Sequence, residues 1–343
     1  MSGKEIGICV IGSGRAGMIH AVNFAKNIPG ARLVAMVDPD AEALKRAAAS
    51  LGVKTGYASH EQAIADPAVD ALVVVAPTKF HRDIVIQAAE AGKHVLCEKP
   101  MAMSVEECDA MIAAADKNGI VLQIGFMRRF DSGFIRAREI VDSGEIGQVV
   151  MVRSNTRGPS VPQPWMYDIK KSNGPLAEVN SHDIDTLRWF SGSEFSTVYA
   201  IGGNYRCPEA KTDYPDFYDN VVVAASFANG VQGMMDGAQG VGYAYDARVE
   251  ILGTHGCVFI GRLDGDAVVT CTAESRVGRA PLVDSWRSLF KDAYLNEDIA
   301  FVNSIVKGLP PKVSGYDGRM AVKVVNAGNA SIVEKRIVRL DEK

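Results

Sequence analysis

Residues Ile6–Gly17 read IGICVIGSGRAG, a β-branched apolar run that passes directly into a glycine-rich turn. The turn has the G-x-G-x-x-G pattern, and the Ala-rich segment behind it predicts a helix. In this context the first glycine permits a tight turn, the second lets a pyrophosphate approach the backbone, and the third lets helix and strand pack closely. We therefore expect the cofactor phosphates at Gly12, Ser13, Gly14, Arg15, Ala16 and Gly17.

Asp38 ends the second predicted strand, 21 residues after Gly17. A carboxylate here can bind both ribose hydroxyls and repels the 2′-phosphate of NADP. The next residues are Pro39 and Asp40, without the arginine that NADP sites normally place close by. The alternative is a glycine turn that binds no nucleotide, but Asp38 favours a cofactor site, with NAD preferred over NADP.

The pattern of apolar residues predicts two domains. Up to about residue 125, β-branched runs alternate with helical stretches, which predicts a doubly wound parallel sheet of the Rossmann type. From about residue 150, predicted strands follow one another with turns such as Asn229-Gly230, which predicts an α+β domain with a largely antiparallel, open sheet. The division is an NAD-binding domain at residues 1–125 and a substrate-binding and oligomerisation domain at residues 126–343. The irregular stretch Asn155–Gly174 is predicted to be a functional loop.

Composition excludes several classes of protein. The 343 residues carry 37 Lys and Arg against 41 Asp and Glu, and this net charge of -4 argues against nucleic acid or an anionic membrane as partner. No apolar run approaches the ~20 residues of a membrane helix. The six cysteines are widely spread without a C-x-x-C pair, and most of them lie in apolar runs, which predicts buried free thiols for most of them and a reduced, cytoplasmic compartment.

Two segments carry residues suited to acid–base chemistry. Lys99 follows a predicted parallel strand, where its side chain can point into the crevice beside the cofactor. Glu178, His182 and Asp185 have the spacing of one helix face, and a histidine between carboxylates suits a general base. A solvated lysine and a structural histidine are the alternatives. A metal ion is not expected, because the charge of Lys99 would oppose it.

The order of motifs resembles that of the glucose-fructose oxidoreductase/inositol dehydrogenase/rhizopine-catabolism (Gfo/Idh/MocA) family. The motifs are the glycine turn, APTKFH (Ala76–His81), AGKHVLCEKP (Ala91–Pro100), GFMRRFD (Gly125–Asp131) and HDID (His182–Asp185). Within the family, the chain is most similar to inositol 2-dehydrogenases.

The resemblance implies a role for each reactive residue. Lys99 would contact the reacting hydroxyl, His182 would be the acid/base, and the residue four positions earlier would assist it. Inositol dehydrogenases usually have Asp at that position, whereas this chain has Glu178, so the resemblance does not by itself establish inositol as the substrate. The family's open sheet often forms the oligomer interface, which implies a homo-oligomer, with a tetramer favoured.

Further binding residues are predicted with less specific signals. Beside the glycine turn and Asp38, the predicted cofactor-binding residues are Pro77, Thr78, His81, Glu98 and Lys99, although a helix-start role for His81 is equally open. The predicted substrate-binding residues are Lys99, Arg128, Asn155, Arg157, Glu178, His182 and Tyr245. The alternatives are a structural ion pair for Arg128, a core position for Tyr245, and solvated charge for Arg157 and for the pair Lys170-Lys171, which would otherwise favour an anionic sugar acid.

Together these observations predict an NAD-dependent dehydrogenase that oxidises a hydroxyl of a cyclic, inositol-like polyol or sugar to the ketone. An aldose or uronate 1-dehydrogenase, or a ketose reductase, is the alternative within the family. A non-catalytic nucleotide-binding regulator is the alternative of another class. The presence of both Lys99 and His182 favours an enzyme.

Overall fold

The structure is a computed structural model that describes residues 5–26, 28–265, 270–271 and 278–340. It divides into two compact units. The first comprises Met1–Phe130 and Lys291–Val322, and the second comprises Asp131–Phe290 and Lys323–Lys343. In the described residues no helix is both long and apolar enough to span a bilayer.

The elements follow one another along the chain as listed here. The strands are β1 (Ile6–Ile11), β2 (Ala31–Val37), β3 (Thr55–Tyr57), β4 (Ala71–Val74), β5 (His94–Glu98), β6 (Leu122–Gly125), β7 (Val149–Gly158), β8 (Phe195–Gly203), β9 (Asn220–Phe227), β10 (Gln232–Gln239), β11 (Asp246–Gly253), β12 (Cys257–Ile260), β13 (Thr270–Cys271), β14 (Gly278–Arg279) and β15 (Val338–Arg339). The helices are α1 (Arg15–Lys26), α2 (Ala41–Leu51), α3 (His60–Ala65), α4 (His81–Glu90), α5 (Val105–Asn118), α6 (Ser132–Asp142), α7 (Ile169–Ser172), α8 (Gly174–Glu178), α9 (Ser181–Ser191), α10 (Trp286–Leu289), α11 (Lys291–Lys307) and α12 (Gly315–Glu334).

The first unit is built on a six-stranded sheet in the order β3-β2-β1-β4-β5-β6. All of its strand pairs are parallel. The strand order reverses between β1 and β4, which leaves a crevice at the carboxyl ends of these two strands. In sheets of this kind ligands bind in that crevice. The predicted doubly wound Rossmann sheet is thus confirmed.

Helix α11 belongs to the first unit although it comes late in the sequence. Phe301 and Val302 are buried in the same apolar core as Ile8, Val10 and Leu96 of the parallel sheet. The structural unit therefore includes Lys291–Val322, which the predicted division at residues 125 and 126 places in the second domain. The core of the sheet is completed by residues that no local pattern assigns to it. The predicted division of roles between the domains stays a prediction.

The second unit contains a seven-stranded sheet in the order β12-β11-β7-β10-β9-β8-β15. β10 and β7 pair in parallel and the other neighbours are antiparallel, so the predicted, largely antiparallel sheet is confirmed. Buried positions alternate along β7, and its inward side chains Ser154 and Thr156 hydrogen-bond to Asp183 of α9. Helix α9 therefore lies on one face of this sheet. The sequence also predicts a strand at Ala267–Cys271, most of which lies outside the described residues.

The stretch Asn155–Gly174, predicted to be irregular, is mostly ordered into short elements. β7 continues to Gly158, a 3₁₀ turn covers Pro164–Met166, and α7 begins behind Asp168, which accepts a hydrogen bond from the Lys170 amide. Prolines mark the turns between these elements but do not make the whole stretch a loop.

Candidate active site

The glycine turn between β1 and α1 uses its three glycines in three different ways. Gly12 has φ +101°, and a Cβ there would lie 2.8 Å from the Val75 carbonyl oxygen. A Cβ on Gly17 would lie 1.9 Å from the Gly12 oxygen, so the helix packs directly on the turn. A Cβ on Gly14 would meet no atom within 4 Å. Gly14 is therefore not required by packing, and it leaves open space at the helix N-terminus, as a pyrophosphate site needs.

Asp38 lies beside this turn at the end of β2. Its Oδ2 accepts hydrogen bonds from the backbone amide of Ser13 (2.8 Å) and from the Ser13 hydroxyl, and its Oδ1 accepts from the Asp40 amide (2.9 Å). Partial burial acts to raise the pKa of Asp38, but these hydrogen bonds outweigh it and lower the pKa. The carboxylate is thus ionised and oriented at the edge of the turn. Together with the open space at Gly14, it fits the ribose and pyrophosphate of NAD.

The turns that follow β4 and β5 are tied together by His81. Its Nε2 lies 2.7 Å from the Ala76 oxygen and its Nδ1 lies 3.0 Å from the Pro100 oxygen, while the side chain is 1% exposed. Burial lowers the pKa of His81, so the ring is neutral at pH 7. A neutral ring carries a single N–H, so His81 donates to one of the two carbonyl oxygens at a time while its ring lies between the two turns. Direct contact with the cofactor by His81, and by Pro77 and Thr78 at the start of the 3₁₀ turn, stays a prediction.

The end of β5 carries Glu98 and Lys99. Glu98 is almost fully buried, and its Oε2 accepts a hydrogen bond from the Lys99 amide at 3.0 Å. The peptide bond between Lys99 and Pro100 is cis. Lys99 follows directly on the carboxyl end of a parallel strand, where the sequence places it. Its contact with a reacting hydroxyl stays a prediction, as does cofactor binding by Glu98.

Glu178 and His182 do not share a helix, and this part of the prediction is wrong. Glu178 is the last residue of α8, and α9 begins at Ser181 after a break at Val179 and Asn180. Their relative placement therefore comes from the break and not from helix periodicity. His182 lies in the first turn of α9 and is 6% exposed, whereas Glu178 is half-buried.

Asp183 is a supporting residue to which the sequence analysis assigned no role. Its carboxylate is fully buried and accepts hydrogen bonds from Ser154 (2.5 Å), Thr156 (2.9 Å) and Asn180 (2.8 Å). It thereby attaches the first turn of α9 to β7, which holds the backbone of His182. A possible signal was the pair of hydroxyl residues at alternate positions of β7, on the face that a strand normally keeps apolar.

Comparison with known proteins agrees with this geometry in both units. Residues 6–126 match the model of an oxidoreductase family with an NAD-binding Rossmann fold, and residues 134–259 match the GFO/IDH/MocA C-terminal domain. This chain belongs to the Gfo/Idh/MocA oxidoreductase family. The resemblance seen in the motifs is confirmed.

Several relatives of this Gfo/Idh/MocA protein are similar over nearly its whole length. It is 36% identical to the myo-inositol 2-dehydrogenase of Thermotoga maritima, with 98% of each chain covered. It is 32% identical to the scyllo-inositol 2-dehydrogenase (NAD(+)) of Bacillus subtilis, covering 99% of this chain and 97% of the relative. The crystal structure of scyllo-inositol dehydrogenase from Lactobacillus casei, with bound NAD(H) and scyllo-inositol, superimposes with a TM-score of 0.89 at 27% identity, covering 99% of this chain and all (100%) of that one.

Arg128 of this Gfo/Idh/MocA oxidoreductase lies in the 3₁₀ turn Met127–Phe130 behind β6. Its side chain is 2% exposed and is among the largest fully buried ones. The neighbouring Arg129 forms an ion pair with Asp317 at 3.1 Å. Contact with a polyol stays a prediction.

Asn155 and Arg157 lie on the face of the second sheet that points away from α9. Arg157 forms a bidentate ion pair with Asp236 (2.7 and 3.1 Å), and Asn155 donates to the Asp246 carbonyl (3.2 Å). Tyr245 is almost fully buried, and its amide donates to Val283. Asn155 and Arg157 therefore lie on the opposite face of the sheet from α9, the helix that carries His182. Contact of Asn155 and Arg157 with substrate stays a prediction that this position does not favour, and contact of Tyr245 stays a prediction.

Proposed function

We propose that the chain is an NAD-dependent dehydrogenase that oxidises a ring hydroxyl of a cyclic, inositol-like polyol to the ketone. The carrying observation is similarity to two inositol 2-dehydrogenases over 98% or more of the chain. Both family domains are present, and the cofactor turn has the open space and ionised carboxylate that NAD requires. When bound, NAD supplies the hydride acceptor.

Side chains of this protein would accept the hydroxyl proton and stabilise the charge that develops on the reacting oxygen. His182 accepts the proton of the hydroxyl group as a hydride leaves the carbon that carries this hydroxyl. Lys99, as a cation, stabilises the alkoxide character that develops on the oxygen. Glu178 orients the imidazole and stabilises its protonated form. Positioned proton transfer of this kind contributes about 10²–10⁴ in rate.

A neutral polyol is favoured over an anionic sugar acid. Two of the three basic residues that raised the second possibility have acidic partners: Arg157 pairs with Asp236, and Lys171 pairs with Asp168 at 3.0 Å. A neutralised cation attracts a carboxylate substrate weakly. The first experiment mixes the protein with NAD and a panel of inositols, aldoses and uronates and follows NADH absorbance. Turnover of uronates alone would contradict the proposal, and no turnover of any compound would favour the regulator.

Asp38 is expected to determine the preference for NAD over NADP. Asp38→Ala should lower kcat/KM with NAD by about tenfold to a hundredfold, the value of one or two hydrogen bonds to a charged group, and should raise the use of NADP. Asp40→Ala is the matched control. It removes an equal charge two residues away and a cap of α2, so it should cost about 1 kcal/mol of stability without changing cofactor preference. Equal kcat/KM for both cofactors in the parent enzyme would contradict the prediction.

We also propose a homo-oligomer, with a tetramer favoured, that forms through the outer face of the second sheet. This outer face is the side away from α9. Its centre carries ion pairs such as Arg153–Glu250 and Arg157–Asp236, and its flanks expose apolar side chains. Ile201 of β8 is 59% exposed and Phe259 of β12 is 70% exposed. Apolar flanks around a paired polar centre favour burial against a second copy.

Charge placed on this outer face should dissociate the oligomer. Ile201→Glu and Phe259→Glu should shift the mass measured by light scattering from a multiple of 36.8 kDa towards a single chain. The control is Val306→Glu on α11, because Val306 is 62% exposed but belongs to the first unit. A parent mass of one chain at micromolar concentration would refute the proposal.

The cytoplasm is the proposed compartment. Cys9, Cys97, Cys108 and Cys207 are free and buried, and burial raises the pKa of each thiol. Unpaired thiols of this kind are ordinary in a reducing environment.

A further inference from the structure

A cluster of ionisable side chains is buried in the first unit, away from any residue to which a role has been assigned except Glu98. It brings together His20 of α1, Glu98 at the end of β5, and the adjacent Glu297 and Asp298 of α11. His20, Glu297 and Asp298 are each 0% exposed, and Glu98 is 5% exposed. Burying four ionisable side chains costs free energy unless they are paired, so their hydrogen bonds indicate how the cluster is stabilised.

His20 connects two carboxylates through its two ring nitrogens. Nδ1 lies 2.7 Å from Asp298 Oδ1, and Nε2 lies 3.2 Å from Glu98 Oε1. Because both nitrogens face carboxylate oxygens, both can donate only if the ring is an imidazolium. Burial opposes that charge, but Asp298 and then Glu98 outweigh it and raise the pKa of His20 well above its usual range.

The far end of this chain of hydrogen bonds is anchored. Asp298 Oδ2 accepts a hydrogen bond from Asn23 Nδ2 at 2.8 Å. The His20 ring packs against Tyr294 in a T-shaped arrangement, with ring centroids 5.4 Å apart and planes at 84°. Asp298 and the imidazolium therefore have little freedom to move, and Glu98 Oε1 receives its hydrogen bond from a fixed donor.

The near end reaches the proposed active site. While Glu98 Oε1 accepts from His20, Glu98 Oε2 accepts from the Lys99 amide at 3.0 Å. We propose that His20, held by Asp298, is a positioning residue that fixes Glu98 and through it the backbone of Lys99. The consequence for turnover rests on the proposed role of Lys99 in catalysis. A displacement of about 1 Å at a reacting group can cost about a hundredfold in rate, so a fixed backbone there matters.

The same side chains have a second possible use as a metal site. Ligand atoms of His20, Glu98 and Glu297 lie within 4.8 Å of one another. Two observations favour protonated side chains over a bound metal ion in this cluster. The His20 nitrogens are at hydrogen-bonding distance from carboxylates, and burial together with the charge of Glu98 raises the pKa of Glu297 well above its usual range. Glu297 is then a neutral acid, and the charge of the cluster is reduced without a cation.

The decisive experiment compares His20→Asn with His20→Gln. The Asn amide nitrogen occupies the δ position of the side chain and can replace Nδ1 towards Asp298. The Gln amide nitrogen occupies the ε position and can replace Nε2 towards Glu98. Amide hydrogen exchange at Lys99, measured by mass spectrometry on the full chain, should accelerate in His20→Asn and clearly less in His20→Gln, which keeps the donor towards Glu98 but loses the contact with Asp298. kcat should fall by about ten- to a hundredfold in His20→Asn and by less than about threefold in His20→Gln.

The outcomes separate this proposal from the function on which it rests. Equal exchange at Lys99 in the two variants overturns the positioning role, whatever their activities. A difference in exchange without a difference in kcat overturns its importance for turnover, and Lys99→Ala in the same assay then tells whether Lys99 itself is dispensable. A purely structural role predicts that kcat follows Tm, so both variants are compared well below their Tm values.

Glu297→Gln is the control within the cluster. It replaces a neutral acid by a neutral amide next to Asp298, outside the hydrogen-bond path, and should change kcat less than twofold. A carboxyl whose pKa is raised in the folded state contributes fully to the free energy of unfolding below its unfolded-state pKa of about 4.3. This contribution is lost as the pH rises towards the folded-state pKa. The Tm of Glu297→Gln should therefore rise relative to the parent between pH 5 and 8. One equivalent of a divalent metal in the purified protein, lost in Glu297→Gln, would overturn the proton assignment.

Discussion

Replacing His182 by Ala is expected to lower kcat by about two to four orders of magnitude while leaving NADH binding intact. The reason is that the hydroxyl proton then has no positioned acceptor, whereas the cofactor turn and Asp38 belong to the first unit. Steady-state kinetics give kcat, and NADH fluorescence gives the dissociation constant separately. His255→Ala is the control, since it removes an exposed imidazole from the same unit and should be neutral.

Lys99→Ala should also reduce turnover strongly, because the developing alkoxide loses its cation. The double variant should lose less than the product of the two single effects, since both residues serve one proton transfer. In the parent, kcat/KM for oxidation should rise with pH as the imidazole becomes neutral. A His182→Ala enzyme within threefold of the parent kcat would mean that the base lies elsewhere.

The second large effect is expected at the glycine turn. The same substitution, Gly to Ala, should impair cofactor binding at one position and fold stability at another. Gly14→Ala adds a methyl group to open space, so the fold should keep its Tm, but NADH affinity should fall by about tenfold to a hundredfold as the pyrophosphate loses its charged hydrogen bonds. Gly17→Ala forces a Cβ against the Gly12 oxygen and should cost about 3 kcal/mol, or roughly 10 °C in Tm.

Thermal unfolding without cofactor and NADH titration at low temperature distinguish the two variants. Unchanged NADH affinity in Gly14→Ala would show that the pyrophosphate does not lie at this turn. An unchanged Tm in Gly17→Ala would show that α1 does not need to pack so closely on β1. Each variant is thus the control for the other.

Much of the cofactor half was predictable because its signals are local. A glycine turn lies within six residues, the carboxylate of Asp38 stands at the end of a strand whose period is visible, and Lys99 follows another such strand. The family resemblance also rests on short motifs and is confirmed by the matches in both domains. The prediction that Glu178 and His182 share one helix face was wrong because it relied on local spacing alone. Spacing does not reveal that the helix is interrupted between Glu178 and Ser181.

Tertiary structure was needed wherever a residue's partner is distant along the chain. His20 meets Asp298 across 278 positions, and α11 completes a core that starts at β1. The composition of α11 shows an amphipathic helix but not which sheet it covers, because apolar packing is not directional. Arg157 likewise reads as a solvated or substrate-binding cation until the pairing of β7 with β10 brings Asp236 to it. Periodicity and turn chemistry thus account for the strands, the helices and the cofactor turn, whereas the buried ionic cluster and the outer face of the second sheet exist only once the chain is folded.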